Sequence, residues 1–118
     1  MQTIWIEIPA EDLERAKRFY EAVFQHEPTE IVDMGVRRIT ILPGTPSVSL
    51  NQTDGFVPST LGALPYFHVD EPLSEALERV TANGGSVVDP TEERPGNGFF
   101  ALVLDSEGNA VTLHSAQK

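Results

Sequence analysis

The fold of this chain is decided by two stretches that read alike, Asp12-Leu13-Glu14-Arg15-Ala16 and Pro72-Leu73-Ser74-Glu75-Ala76, which begin 60 positions apart. Both place apolar residues at helical spacing with polar residues between them, the pattern of an amphipathic helix. A second pair repeats further along, Val48-Ser49-Leu50-Asn51 and Val111-Thr112-Leu113-His114, with the character of a strand. The sequence therefore indicates an internal duplication.

Strand candidates surround each predicted helix. They are rich in β-branched and aromatic residues and are bounded by Gly, Pro, Asn or Asp. In the first half they are Thr3–Pro9, Glu27–Asp33, Gly35–Leu42 and Val48–Asn51. In the second half they are Leu64–Val69, Ser86–Val88, Phe99–Asp105 and Ala110–His114, with Pro72 expected at the first position of the helix and Gly84-Gly85 at its end. The predicted order is βαβββ, repeated once.

We predict one domain of class α+β that spans residues 1–118. Module one occupies residues 1–51 and module two residues 63–118. The stretch 52–62 between them holds Asp, Gly, Pro, Ser and Thr without periodicity, so we expect a linker there. One module cannot bury its sheet and helix alone, and the two modules therefore have to pair.

The composition excludes several classes of protein. The 118 residues include no cysteine, which removes disulfide scaffolds, thiolate nucleophiles and sulfur metal sites. Eighteen acidic and eight basic residues give a net charge of −10, and such a surface repels nucleic acid. No stretch approaches the ~20 apolar residues of a membrane span, and no signal peptide is visible. We therefore expect a cytoplasmic protein that binds neither nucleic acid nor membrane.

The sequence resembles the glyoxalase/bleomycin-resistance/extradiol dioxygenase superfamily, also called the vicinal oxygen chelate proteins. The first half carries the resemblance in Trp5-Ile6-Glu7-Ile8-Pro9 and Phe19-Tyr20, and the second half in Phe67-His68-Val69-Asp70 and in the run from Leu104 to Asn109. The most similar branch is described as predicted enzymes related to lactoylglutathione lyase. The resemblance implies a cupped eight-stranded mixed sheet with helices outside, a small-molecule cleft inside, and a homodimer.

The resemblance also implies four metal-ligating positions, one in the first strand and one in the last strand of each module. In this chain those positions hold Trp5, Ser49, Leu64 and Thr112. Indole and leucine side chains cannot coordinate a metal, and two hydroxyls alone do not hold a transition metal. We therefore predict no metal at the family's site and no cofactor.

Strand alternation extends these positions to further cleft residues, because residues two apart share a face. The predicted ligand-binding set is Trp5, Glu7, Tyr66, His68, Thr112 and His114. Trp5 fits core packing equally well, and the two histidines fit ordinary hydrogen-bonded residues. Glu7, His68 and His114 are also ligand types that suit zinc or iron, but nothing in their spacing demands that they converge.

Three functions agree with this set. The favoured one is a protein that binds, and so sequesters, a cationic or aromatic small molecule, with Trp5 as a stacking platform and Glu7 as a counter-charge. The alternative is a lyase or isomerase that acts on a small carbonyl compound, with Glu7 or His114 as general base. Tyr66 is then the sole visible stabiliser of an oxyanion. The third is a subunit that only assembles with a partner protein.

Overall fold

Each half of the chain folds as one strand, one helix and three further strands. The computed structural model describes all 118 residues. The first half contains β1 (Trp5–Pro9), α1 (Leu13–Phe24), β2 (Ile31–Asp33), β3 (Arg37–Leu42) and β4 (Ser47–Thr53). The second half contains β5 (Tyr66–His68), α2 (Leu73–Ala82), β6 (Ser86–Arg94), β7 (Gly98–Leu104) and β8 (Ala110–Ser115). The predicted duplication and its βαβββ order are confirmed.

The two helices begin differently, although their sequences align. Before α1, the Asp12 side chain accepts a hydrogen bond from the backbone N–H of Arg15 at 3.0 Å, a standard cap for the free donors of a first turn. Before α2, Pro72 lies in an extended conformation just outside the helix. The expectation that Pro72 is the first helical residue is wrong by one position, because the helix begins at Leu73.

The strands form two separate sheets of four. Their orders are β1-β4-β3-β2 and β5-β8-β7-β6, with β1–β4 and β5–β8 parallel and the remaining pairs antiparallel. The expectation of one eight-stranded sheet is therefore wrong. The free edges of β1 and β5 do not hydrogen-bond to each other, so each half keeps its own sheet.

One side of each sheet is covered by helix, and these covered sides share a single core. Its largest fully buried side chains come from both halves: Tyr20, Phe19, Leu13, Leu50, Leu73, Leu113, Val23, Val80 and Val103. The ring of Phe67 on β5 packs edge-on against Phe24 of α1, with centroids 5.5 Å apart. The halves are therefore joined by apolar packing between helices, and the other side of each sheet is left without a helix.

The turn between β7 and β8, residues 105–109, reaches across to the first half. Its Asp105 is buried and accepts a hydrogen bond from the Tyr20 hydroxyl at 2.7 Å. Asn109 donates from Nδ2 to the backbone oxygen of Pro9 at 2.8 Å and to Asp105 at 3.0 Å. Burial raises the pKa of the Tyr20 hydroxyl well above its ordinary value, and the Asp105 carboxylate raises it further. Tyr20 therefore stays a neutral donor.

Glu107 of the same turn binds the backbone just before α1. Its side chain is fully buried and accepts from the backbone N–H of Glu11 at 3.0 Å and of Asp12 at 2.9 Å. It also pairs with the Arg15 guanidinium at 2.7 Å. Burial pushes the pKa of Glu107 upward, but the hydrogen bonds from Arg15, Asp12 and Ser106 outweigh burial and hold it below the ordinary value of 4.5.

Some element bounds differ from the predicted ones. The segment expected as a linker at 52–62 runs over 54–65, since β4 continues to Thr53 and β5 starts only at Tyr66. The strand expected at Ser86–Val88 extends to Arg94, with register shifts on β6 that local sequence does not reveal. No helix of the structure combines the length and the apolar character needed to cross a membrane.

We predict that Glu107→Gln lowers the free energy of unfolding by about 1–3 kcal/mol at pH 7, because charge-assisted hydrogen bonds are lost. The folded pKa of Glu107 lies below the unfolded one, so its contribution is complete above the unfolded value and is lost as the pH falls through the folded value. Urea unfolding from pH 7 to pH 3 should show the difference between wild type and variant shrinking. The control is Glu93→Gln, which changes an exposed carboxylate without a hydrogen bond. Equal curves for the two variants would contradict the role of Glu107.

Candidate functional site

The predicted site residues of the first half lie on the side of sheet one that carries no helix. Strand register places Glu7 opposite Ser49, and Arg37 and Asn51 share the same side through β3 and β4. Trp5 stands at the start of β1 and is 46% exposed. We call these five residues the first-sheet cluster.

Hydrogen bonds join the first-sheet cluster into one network centred on Glu7. The Trp5 indole N–H donates to Ser49 Oγ at 3.0 Å, and Ser49 donates to Glu7 Oε2 at 3.3 Å. Asn51 Nδ2 donates to the same oxygen at 2.8 Å, and Arg37 Nη2 at 3.0 Å. The Glu7 carboxylate is therefore an anchored, charge-balanced group.

The predicted site residues of the second half lie on the corresponding side of sheet two. Parallel pairing of β5 with β8 sets Tyr66 opposite Thr112 and His68 opposite His114. On the other side of β8, Phe100 of β7 lies opposite His114. Thr112 is buried, whereas Tyr66 is half-exposed. We call these five residues the second-sheet cluster.

The second-sheet cluster is aromatic and carries a guanidinium at its edge. The Phe100 ring lies 5.9 Å from the Tyr66 ring and 4.8 Å from the His114 ring. The Arg94 guanidinium stands 4.3 Å from the Phe100 centroid, a cation–π distance. Hydrogen bonding to Tyr66 raises the pKa of Arg94, so this charge is permanent. The cluster therefore offers flat rings beside a fixed positive charge.

A chain of close polar contacts runs through the two histidines. His68 Nε2 lies 3.0 Å from Asp70 Oδ1, and His114 Nε2 lies 2.7 Å from the backbone oxygen of Asn97. The two Nδ1 atoms face each other at 2.9 Å. Each of the four ring nitrogens thus has a polar atom within 3.0 Å.

The structure places the predicted site residues in two groups. Trp5 and Glu7 belong to the first-sheet cluster, and Tyr66, His68, Thr112 and His114 to the second-sheet cluster. No hydrogen bond connects the two clusters, and the main cavities contain members of one cluster or the other. A cavity of about 350 Å³ between the halves is bordered by Tyr66 and His68, and another of about 360 Å³ lies beside the histidines. Within one chain, the residues expected in a single cleft face two separate surfaces.

The four positions at which the family's fold would hold a metal do not fit one here. The Trp5 indole N–H is a hydrogen-bond donor to Ser49, Leu64 offers no donor atom, and Thr112 is buried beside Tyr66. Three or more His, Cys, Asp or Glu side chains are nowhere grouped closely enough to hold an ion. No step of chemistry can be assigned to a metal at these positions.

Five polar or aromatic residues in or beside the two clusters are absent from the predicted ligand-binding set: Arg37, Asn51, Arg94, Asn97 and Phe100. Alternation could have identified Asn51, because Asn51 lies two residues after Ser49 on the same strand. Arg37 and Phe100 join through antiparallel pairing, which depends on register that the local pattern leaves open. Arg94 ends β6 and Asn97 lies in the turn after it, both beyond the predicted strand Ser86–Val88.

Nearly the whole chain matches the model of one protein family. Residues 3–113 match the model of the Glyoxalase/Bleomycin resistance protein/Dioxygenase superfamily. No curated protein matches the chain in sequence.

Solved structures of low sequence identity share the fold. A glyoxalase/bleomycin resistance protein from Albidiferax ferrireducens T118 is 22% identical with a TM-score of 0.67, covering 96% of this chain and 97% of that one. A glyoxylase/bleomycin resistance protein/dioxygenase domain from Frankia sp. EAN1pec is 19% identical with a TM-score of 0.72, covering 100% and 93%. The fosfomycin resistance protein FosX from Listeria monocytogenes is 18% identical with a TM-score of 0.73, covering 99% and 92%.

The position of His114 depends on Gly98, which has a φ of +94°. A Cβ there would lie 2.6 Å from the Ser115 oxygen and 2.8 Å from His114 Nε2. We predict that Gly98→Ala displaces the His114 ring and destabilises the fold by about 1–3 kcal/mol beyond the backbone strain alone. Gly96→Ala is the matched control, because its φ is +82° and an added Cβ would meet nothing within 4 Å. Urea unfolding and the imidazole NMR signals of His114 measure both effects; identical results for the two variants would refute this dependence.

Proposed function

Since the chain belongs to the glyoxalase/bleomycin resistance protein/dioxygenase superfamily, we propose that it binds and sequesters a small aromatic molecule in the cytoplasm. The cleft uses no metal at the family's four positions. The observation that carries this proposal is the replacement of chelating side chains by Trp5, whose half-exposed indole is held in place by Ser49. A fixed, partly exposed aromatic ring is a surface for stacking a planar ligand.

The charges of the two clusters favour an aromatic ligand over a purely cationic one. The Glu7 carboxylate is balanced by Arg37, so a cationic ligand has to compete with an existing ion pair. The second-sheet cluster has Tyr66 and Phe100 rings with Arg94 at the edge. Flat ligands that are neutral or carry a negative group suit this cluster best.

The alternative of a lyase or isomerase has less support. A general base needs a lone pair directed at the substrate proton. One Glu7 oxygen already accepts from Ser49, Asn51 and Arg37, and His114 Nδ1 faces His68 Nδ1 at 2.9 Å. That oxygen of Glu7 and that nitrogen of His114 would have to give up these contacts before acting on a substrate.

A homodimer supports the same function. The sides of the sheets that carry no helix expose large apolar residues, including Val32 at 45%, Ile41 at 44% and Leu64 at 40%. A second copy laid against these surfaces would bury them and would bring the first-sheet cluster of one chain against the second-sheet cluster of the other. The two separate half-sites would then enclose one cleft.

We predict that flat aromatic compounds raise the melting temperature and quench the fluorescence of Trp5, the sole tryptophan. Neutral, anionic and cationic members of one ring series are compared by thermal shift, followed by fluorescence titration. Trp5→Ala should weaken the best ligand by about tenfold or more, because a stacking contact of ~1.4 kcal/mol is removed. The control Val36→Ala removes an apolar side chain that is 83% exposed in the β2–β3 turn. If no compound shifts the melting temperature, or Trp5→Ala leaves binding unchanged, the proposed function fails.

We also predict that the chain is a dimer in sedimentation velocity at micromolar concentration. Ile41→Glu places a charge on the surface that a second copy would bury and should shift the protein to monomer. Val36→Glu is the control, since Val36 is 83% exposed in the β2–β3 turn. A wild-type protein that sediments as a monomer at every concentration tested would contradict the shared cleft.

A further inference from the structure

The two histidines of the second-sheet cluster have their outer nitrogens fixed by acceptors. His68 Nε2 faces the Asp70 carboxylate, and His114 Nε2 faces the backbone oxygen of Asn97. Neither a carboxylate nor a carbonyl can donate a hydrogen bond. Each Nε2 therefore carries the proton, and each neutral ring has its lone pair on Nδ1.

This assignment leaves two lone pairs pointing at one another. The Nδ1 atoms are 2.9 Å apart, and their rings are tilted by 38° with centroids 5.0 Å apart. Two acceptors at that distance repel each other unless a cation lies between them. The cation is either a shared proton or a metal ion.

We propose that His68 and His114 form a site for a divalent transition metal of the zinc, nickel or copper class, bound through their two Nδ1 atoms. Imidazole nitrogen suits these metals. Metal-bound histidines characteristically donate their other ring N–H to a carboxylate or a backbone carbonyl, and these two histidines do so to Asp70 and Asn97. The arrangement of the pair and its supports is that of a metal site.

The geometry and the surroundings agree with an ion. Zn–N bonds of about 2.0–2.1 Å at a tetrahedral angle separate two nitrogens by about 3.3 Å. The rings need to open by only a few tenths of an ångström, and the His68 side chain is 52% exposed. Both histidines line the cavity of about 360 Å³ with Tyr66, Phe67, Asn97 and Phe100. The remaining coordination positions therefore open toward a space that water or a ligand oxygen can enter.

This site is distinct from the one that the family resemblance implies. His114 lies two residues beyond Thr112, and His68 lies four residues beyond Leu64. The sequence predicts no metal at the family's four positions and no cofactor, and the histidine pair lies outside those positions. Glu7, which the sequence also allowed as a third ligand, belongs to the other cluster. The proposal does not depend on the aromatic ligand of the preceding section.

The test is isothermal titration of the purified, metal-stripped protein with Zn²⁺ alone, in an excess of Mg²⁺ that occupies surface carboxylates. We expect one Zn²⁺ per chain with release of up to one proton, since the metal displaces a shared proton. His68→Gln and His114→Gln should each weaken binding by at least about 100-fold. Asp70→Asn removes a supporting carboxylate at an exposed position and should cost about 10- to 100-fold.

The third histidine is the matched control. His26 hydrogen-bonds to the backbone of Glu27 and lies outside the pair, so His26→Gln should bind Zn²⁺ as wild type does. Cu²⁺ electron paramagnetic resonance should show hyperfine coupling from two nitrogens, reduced to one in His68→Gln. The proposal is overturned if His26→Gln weakens binding as much as the other variants, or if no stoichiometric Zn²⁺ binds and imidazole NMR shows only a shared proton. Because the titration uses metal without organic ligand, its failure and that of aromatic binding are separate results.

Discussion

The turn of residues 105–109 is the contact on which the relation between the two halves depends. The sheets share no strand pairing, so apolar packing between the helices would by itself allow the halves to slide. Asp105 and Glu107 remove that freedom, because both are buried acceptors that take hydrogen bonds from the other half, Asp105 from the Tyr20 hydroxyl and Glu107 from the backbone of Glu11 and Asp12. A change in the angle between the halves would break these hydrogen bonds to buried carboxylates, which is costly.

The two sides of each sheet carry different kinds of residues. The helix-covered sides hold the shared core, and almost every fully buried apolar side chain lies there. The sides without a helix hold the two clusters, whose members are polar or aromatic and are fixed by hydrogen bonds rather than by close packing. Residues on these sides can therefore change their chemistry with little effect on the core. The architecture is that of the family, while Trp5 and Leu64 stand at positions for which the resemblance implies metal ligands.

Much of this architecture is predictable from the sequence, because duplication and periodicity are properties of neighbouring residues. The two helices and the order of elements follow from the repeat at residues 12–16 and 72–76. The extent of β6 does not, because its continuation to Arg94 depends on bulged pairing with β7. The separation of the sheets is likewise a property of tertiary packing, since no local pattern says whether β1 and β5 meet.

The candidate site was predictable to the level of strand faces. Alternation correctly places Tyr66 and Thr112 on one side, and His68 and His114 on one side. It cannot identify Arg37 as the partner of Glu7, because that contact joins residues 30 positions apart on non-adjacent strands. It also cannot identify the acceptors of the histidines, since one of them is a backbone oxygen in a turn.

The distance along the chain between Tyr20 and Asp105 has a consequence for biosynthesis. The hydroxyl of Tyr20 finds its acceptor 85 residues later, in the last hairpin. While the chain is emerging from the ribosome, the first half can form its helix and sheet, but that hydroxyl cannot be buried without loss of a hydrogen bond. The Tyr20 hydroxyl can therefore be buried with its hydrogen bond only after the hairpin of β7 and β8 has been made.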